Sequence, residues 1–451
     1  MIPEYLFQLS EDKPWLVALI RVAFILIAVL ALVPPLIWWE RRLLSWMQDR
    51  IGPNRSGTIT FPNNFALKAL AGKKIRTFGL IQPLLDGVKL FMKEDITPTD
   101  VDRKIYFLAP ALALFPAFTI GATLPWGPQF GLYGLLTPVA DVEIGILYVL
   151  AISSLGAYGI VLAGYASNNK YSLMGGLRAS AQLISYELAM AMGVACVALA
   201  SGSMKMTEIV RAQEGALWGF FEGVQNWWIF TPFGFIAAVI FLIALIAETN
   251  RAPFDLPEAE NELIAGYHTE YSSMKFAVFF MGEYAAMFML SGVFACLFLG
   301  GYHALPVNWE YLYSSTGSEI FRMMDGLNYW LAPLFFIGKC FGGITFFIWL
   351  RATLPRLRYD QLMNLGWKNM LPIGVLTFMI TGIWIYYTDP QIGSPIMGWI
   401  AVAVSMAVVY VLYKNVVKII GKNAPAAERR TLTLVPNRSA EKSVATSEEL
   451  G

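Results

Sequence analysis

Long apolar stretches separated by short polar ones dominate the chain. Nine runs approach the ~20 residues that an α-helix needs to cross a bilayer. They lie at about 15–39, 105–124, 143–166, 178–201, 231–249, 276–300, 330–350, 371–388 and 396–413. The pattern predicts an all-α polytopic membrane protein with about nine transmembrane helices. Its first run is too long for the h-region of a signal peptide, and no A-x-A-like site follows, so it is read as a retained span. Between the first two spans the period changes. From Gln82 to Glu94, Asp86, Lys89 and Lys93 share one helical stripe, while Leu84, Val88 and Phe91 share another. That spacing predicts an amphipathic helix at about 82–94 lying in the membrane interface. The internal repeat that marks many secondary transporters is not apparent.

Charge gives the spans a direction. Loops on one side carry 27 Lys and Arg residues, twelve of them between Arg41 and Lys104, and loops on the other side carry 4. Basic residues accumulate on the cytoplasmic side. The expected arrangement is an external N-terminus (1–14), a transmembrane domain (15–413) and a basic cytoplasmic tail (414–451). This is the topology of a multi-pass protein of the bacterial cytoplasmic (inner) membrane. The tail is rich in Ala, Ser, Glu and Arg without apolar period and reads as disordered.

Composition narrows the chemistry. With 57% hydrophobic and 14% charged residues, the chain is not an ordinary soluble enzyme. A net charge of +1 gives no bulk basic field for nucleic acid. Cys196, Cys296 and Cys340 form no CxxC pair, and His268 and His303 are far apart in sequence. Zinc, iron–sulfur and paired-haem ligation all need closer groupings. Any electron carriers are expected elsewhere, so no metal site is assigned.

The remaining charges are placed unusually. From Ala247 the chain reads AETNRAPFDLPEAENELIAGYHTEYSSMK, and in its expected acidic cytoplasmic loop, 250–275, Asp255, Glu258, Glu260, Glu262 and Glu270 face only Arg251 and Lys275. Asp255 can cap a short helix, with Pro257 in its first turn and Glu258 three residues on. Capping explains two of these acids; the others form either a solvated face or a hydrated carboxylate cluster. Within the spans lie Arg21, Glu187, Glu248, Glu283 and Lys339. An unpaired charge at the bilayer centre costs at least about 2.5–3.5 kcal/mol, so each needs a partner or a wet cavity. Glu187 and Glu283 are deep enough to suggest a proton or ion path. Glu248 can instead snorkel or pair with Arg251, and Arg21 and Lys339 fit internal ion-pair partners.

Taken together, these motifs closely resemble the H subunit of proton-translocating NADH:quinone oxidoreductase, respiratory complex I. The matching segments are ERRLLSWMQDRIGPNR from Glu40, GLIQPLLDGVKLFMKED at 79–95, SYE at 185–187, AETNRAPFDLPEAENEL and GYHTEYSSMKF. The resemblance covers about 40–388 in order.

It implies a subunit without a redox centre or catalytic residue of its own, set where the hydrophilic arm meets the membrane arm. Quinone, ubiquinone or menaquinone, is the implied substrate; flavin and iron–sulfur clusters belong to partner subunits. Implied partners are the quinone-site subunits of the hydrophilic arm and the adjacent small membrane subunits. Carried over by position, Glu40, Arg41, Arg50 and Asp86 flank the quinone tunnel. Glu187, Glu248, Arg251, Asp255, Glu258, Glu260, Glu270 and Glu283 match acidic and basic positions that couple quinone reduction to proton translocation.

Departures from the family pattern are a basic stretch at 58–78, an outer loop at 202–230 with Trp218, Trp227 and Trp228, and the ninth span with its tail. The aromatic loop is expected to add interface anchoring, and the ninth helix accessory packing. Two other readings stay open: a homologous subunit of a membrane hydrogenase or a ferredoxin- or deazaflavin-fed complex, and an ion-coupled secondary transporter.

Overall fold

In the computed structural model the described residues are 14–54, 59–60, 74–75, 77–128, 138–217, 221–255, 266–388, 400 and 403. The helices are α1 (Pro14–Met47), α2 (Gln82–Met92), α3 (Arg103–Thr123), α4 (Gly145–Ala166), α5 (Lys170–Ser201), α6 (Met206–Ala212) and α7 (Pro232–Glu248). They continue with α8 (Ser273–Phe298), α9 (Trp309–Thr316), α10 (Glu319–Trp330), α11 (Ala332–Thr353), α12 (Tyr359–Asn364) and α13 (Leu371–Thr388). A π-helical segment, Leu365–Met370, joins α12 to α13. Two small antiparallel hairpins pair Ile59–Thr60 with Lys74–Ile75 and Ala216–Leu217 with Phe221–Gln225.

Seven helices among the described residues are long and apolar enough to cross a membrane, counting α12 through α13 as one. The eighth apolar helix, α7, has 17 residues, which is about 26 Å at 1.5 Å per residue. Eight of the nine expected spans thus correspond to described helices; the ninth, 396–413, and the tail lie outside the described residues, save positions 400 and 403.

Some ends differ from the apolar runs for local reasons. Helix α5 begins at Lys170 rather than near 178 because the Asn169 side chain accepts from the Tyr171 amide and caps it. Helix α1 runs on to Met47, so Glu40 and Arg41 are helical. Helix α2 ends at Met92 instead of Glu94, where Lys93 turns extended.

Loop contacts show which helix ends lie together. Asn169 meets Glu270, Ile96 meets Ser272, and Asp255 meets Arg356. This end collects the Lys- and Arg-rich loops and is called the basic face. At the other end Ile146 meets Met204, Gln213 meets Cys296 and Gly300, and Gln225 meets Pro306.

Helix α8 is the most buried span and packs against α1, α3, α7 and α11. Small residues let its neighbours approach, as expected where packing rather than hydrophobicity holds helices together. A Cβ on Gly159 of α4 would stand 2.7 Å from the Ala113 nitrogen of α3.

Two features escape the apolar-run pattern. Helices α9 and α10 form a surface hairpin on the face opposite the basic one, with no buried residue in either. Trp227 and Trp228, expected as interface anchors, are each only 6% exposed. Trp227 stacks on Phe230 and Trp228 packs on Phe233, so the two indoles plug the end of the bundle. Trp218 lies outside the described residues.

Candidate functional site

Four elements bring charge to one buried point near the basic face. Glu40 sits on α1 and is 6% exposed. The Arg351 side chain, in the last turn of α11, donates to its Oε1. Tyr284 of α8 donates its hydroxyl to Glu40 Oε2 at 2.6 Å. Consecutive residues on a helix project about 100° apart. Glu283 therefore turns away from its neighbour, toward the segment that follows α7.

That segment carries Arg251. Asn250 adopts a left-handed backbone (φ 50°), which Asn tolerates better than most residues and which ends α7 sharply. Buried Gln182 of α5 fixes the turn by donating to the carbonyls of Ala247 (3.0 Å) and Phe254 (2.9 Å). Arg251 then lies 3.9 Å from Glu40 Oε1 and 3.5 Å from Glu283 Oε2, with its guanidinium 4.6 Å from the centre of the Tyr284 ring. One cation is shared between two carboxylates. With Arg351 the network balances two acids against two bases, the arrangement that makes burial of charge tolerable.

Glu283 has two more neighbours. The Tyr267 hydroxyl donates to its Oε1 at 3.3 Å, and His268 Nε2 lies 3.6 Å from the same oxygen. Both come from a short helical turn, Gly266–His268, anchored on α5 by a hydrogen bond from Ser172 to the Tyr267 carbonyl. Gly175 permits this approach, since a Cβ there would sit 2.9 Å from Gly266 Cα.

Beyond Glu283 opens a cavity of about 70 Å³ between α3, α4, α5, α7 and α8. Ala117, Ile160 and Leu290 line it with Glu248, Asn250 and Glu283. At roughly 30 Å³ per molecule it has the volume, and the polar groups, to hold one or two waters. Glu248 Oε2 is buried and has no hydrogen-bond partner among the described residues. The expectation that Glu248 snorkels or pairs with Arg251 is therefore corrected: Arg251 is committed to Glu40 and Glu283. Half-buried Glu187 of α5 lies within electrostatic reach of Glu248.

The other sequence-selected residues are distributed around this centre. Arg41 and Asp86 form a 2.7 Å ion pair that ties α1 to α2, and Gln82 also donates to Asp86 at 3.2 Å. Arg50 is exposed in the turn after α1. Glu270 stands apart from the network, where Oε1 accepts from Asn169 at 2.9 Å and its carbonyl accepts from the Tyr106 hydroxyl. The Asp255 carbonyl accepts from Arg356. Glu258, Glu260 and Glu262, with the short helix expected after Asp255, lie outside the described residues.

A second brace joins α2 to α8. Ser273 donates to the carbonyls of Leu90 (2.9 Å) and Lys93 (3.0 Å), closing the C-terminal end of α2. Buried Lys275 pairs with Asp95 at 3.0 Å and lies over the Phe107 ring. Burial and then the adjacent Tyr106 push the Tyr271 phenol above its ordinary range, so it serves as a neutral donor, to the Tyr106 carbonyl at 3.3 Å.

Arg351, Tyr284, Tyr267 and His268 are the network members that sequence reasoning did not select. Tyr284 adjoins the in-span Glu283, and Tyr267 and His268 lie in the GYHTEYSSMKF segment, but Arg351 counted simply as a loop charge. Among the described residues, no group of three or more His, Cys, Asp or Glu is placed to hold a metal ion.

An apolar helical bundle built around a charge-balanced polar centre defines a polytopic membrane protein whose local chemistry is electrostatic. The NADH dehydrogenase family profile matches residues 20–382, and the chain belongs to that family. It is 44% identical over 368 residues to the H subunit of NADH-quinone oxidoreductase from Thermomicrobium roseum, covering 80% of this chain and 94% of the relative. With the first of the numbered H subunits of Geobacter metallireducens it shares 42% identity over 370 residues, 81% of this chain and 95% of that one. The second of those of Koribacter versatilis is 42% identical over 383 residues, 82% and 97% of the respective chains.

Proposed function

We propose that this chain is the H subunit of a proton-translocating NADH:quinone oxidoreductase in a bacterial cytoplasmic membrane. In this role it borders the quinone tunnel at the junction with the hydrophilic arm and couples quinone reduction to proton movement. The observation that carries the reading is Arg251 shared between Glu40 and Glu283, with Glu283 opening onto the cavity that holds Glu248. The N-terminus is external and the basic face cytoplasmic, where partners carrying flavin and iron–sulfur clusters dock. The electrons come from those partners.

Glu40, Arg41, Arg50 and Asp86 mark the tunnel side. Next to them α2 exposes Leu84, Val88 and Phe91, an apolar surface suited to an isoprenoid tail. Charged and hydrogen-bonding groups beyond an apolar slot suit the polar quinone head. Quinone becomes quinol by gaining two electrons and two protons, so charge near the end of α1 changes during turnover. Arg251 responds by moving toward Glu40 and leaves the Glu283 carboxylate uncompensated. A buried, uncompensated carboxylate is neutralised by taking up a proton. Waters in the cavity can carry that proton between Glu283 and Glu248; Glu187 continues the path toward neighbouring pump subunits. Asp255, Glu258, Glu260 and Glu270 supply the acidic loop through which the path meets the cytoplasm.

Two measurements test this. Tagged protein purified in mild detergent should bring down flavin- and iron–sulfur-containing subunits. In proteoliposomes holding that complex, Glu283→Gln should depress both NADH-driven quinone reduction and proton uptake while assembly persists. Isolation without redox partners, or full pumping by Glu283→Gln, overturns the proposal.

A further inference from the structure

Helix α10 has three distinct surfaces. At 100° per residue, Ile320, Met323, Met324, Leu327 and Trp330 fall on one stripe. Their exposures are 66%, 69%, 38%, 47% and 60%, so the stripe stays open along its length, most of all at Ile320, Met323 and Trp330. A second stripe, Phe321 and Asn328, faces the protein: Phe321 stacks on Trp309 of α9, and Asn328 accepts from the Ala304 amide at 3.1 Å. The third is polar and open, carrying Glu319 and Arg322, which lie 3.9 Å apart with side chains 76% and 70% exposed. A soluble protein would bury so regular an apolar stripe.

The position of the helix identifies what covers it. A single residue, Leu331, separates α10 from the membrane-spanning α11, so the end of α10 lies at the level where that span meets the interface. Leu334, in the first turn of α11, is 62% exposed and extends the apolar surface from α10 onto the span's lipid-facing side. Tyr329 and Trp330 fall at this junction, and aromatic residues concentrate at that depth. The helix carries Glu319 and Asp325 against Arg322, so attraction to anionic headgroups does not explain its placement. Apolar contact with acyl chains does.

We propose that α10 is an interfacial helix on the face opposite the basic one, with its Ile320–Met323–Leu327–Trp330 stripe sunk into the lipid boundary. It replaces the aromatic loop, whose Trp227 and Trp228 are buried, as an interface anchor on that face. Asn328 clamps its inner side to the segment joining α8 to α9. The stripe enters the membrane about 5–10 Å, the usual depth of such helices.

The test places single nitroxide labels at Met323→Cys, Ile320→Cys and, as the water-facing control, Arg322→Cys, in the assembled complex reconstituted into liposomes. Spin relaxation is then compared between oxygen, which partitions into lipid, and a water-soluble nickel chelate. The expected result is oxygen-dominated relaxation at 323 and 320 and nickel-dominated relaxation at 322. Nickel access at 323 means that the stripe faces water and overturns the proposal. Shielding of 323 from both reagents means that a protein neighbour covers it, which overturns the proposal equally.

Discussion

Two cations within this bundle, Arg251 and Lys339, are handled in opposite ways. Lys339 of α11 donates to the carbonyls of Leu299 and Gly301 just past α8 and lies 4.2 Å from the centre of the Trp227 ring. The expectation of an internal ion pair is corrected here: its partners are carbonyls at a helix C-terminus, the negative end of the macrodipole, and an indole face. None of these can titrate or change sides. Arg251 stands instead between two carboxylates from different helices, beside a cavity. A buried charge with fixed neutral partners stabilises a fold; one with two ionisable competitors can redistribute.

The sharpest break in this comparison comes from Arg251→Met. It removes the cation and leaves Glu40 and Glu283 buried with less compensation. Breaking a buried ion pair typically costs about 3–5 kcal/mol, so thermal unfolding should shift strongly downward and quinone reduction should collapse. Adding Glu283→Gln to the same chain should restore part of the stability, because the stranded acid is then neutral. Two additive losses would show that the three residues do not act as a unit.

Lys339→Met should separate stability from coupling. The substitution keeps the aliphatic stem and leaves two carbonyls without their donor, a loss of about 1–3 kcal/mol. Melting of the purified complex should record that loss, while turnover per assembled complex and protons moved per NADH stay unchanged. A change in proton stoichiometry would contradict the division between the two cations.

Glu248→Gln reverses the pattern. Its Oε2 has no partner among the described residues to lose, so stability should hardly change. Turnover should fall by about tenfold, equivalent to ~1.4 kcal/mol on the barrier. Unchanged turnover with normal pumping would exclude Glu248 from the proton path and leave Glu283 as the end of the network.

What the sequence revealed follows the range of each interaction. Spans were legible because each is a local apolar run, and α2 because its period is local too. Helix ends were less so: α5 is extended by the Asn169 cap and α1 runs on to Met47, neither of which the apolar runs show. Glu40, Arg251 and Glu283 stood out as charges or as motif members. Their convergence did not, because contacts such as Tyr284 to Glu40 join positions 244 residues apart. Arg351 was hidden for a different reason, since a basic residue at the end of a span usually reaches water. Trp227 and Trp228 were misjudged because an aromatic loop beside a span reads alike whether it faces lipid or plugs the bundle.

The weakest case completes the comparison. Lys205, in the turn before α6, pairs with Asp141 at 3.0 Å near the surface. Its pKa is raised first by the hydrogen bond to Asp141 and then by the charge on that acid. Because the folded-state value lies above the unfolded one, the stabilisation is complete below the ordinary lysine range and disappears as pH rises through the raised value. Lys205→Met should therefore lower the melting temperature slightly at neutral pH, and the difference from the parent should close in strongly alkaline buffer. High salt should close it as well, since charges near the surface are screened. A difference that persisted through both treatments would place the contribution in packing of the lysine stem, leaving Arg251 and Lys339 to display the electrostatic contrast.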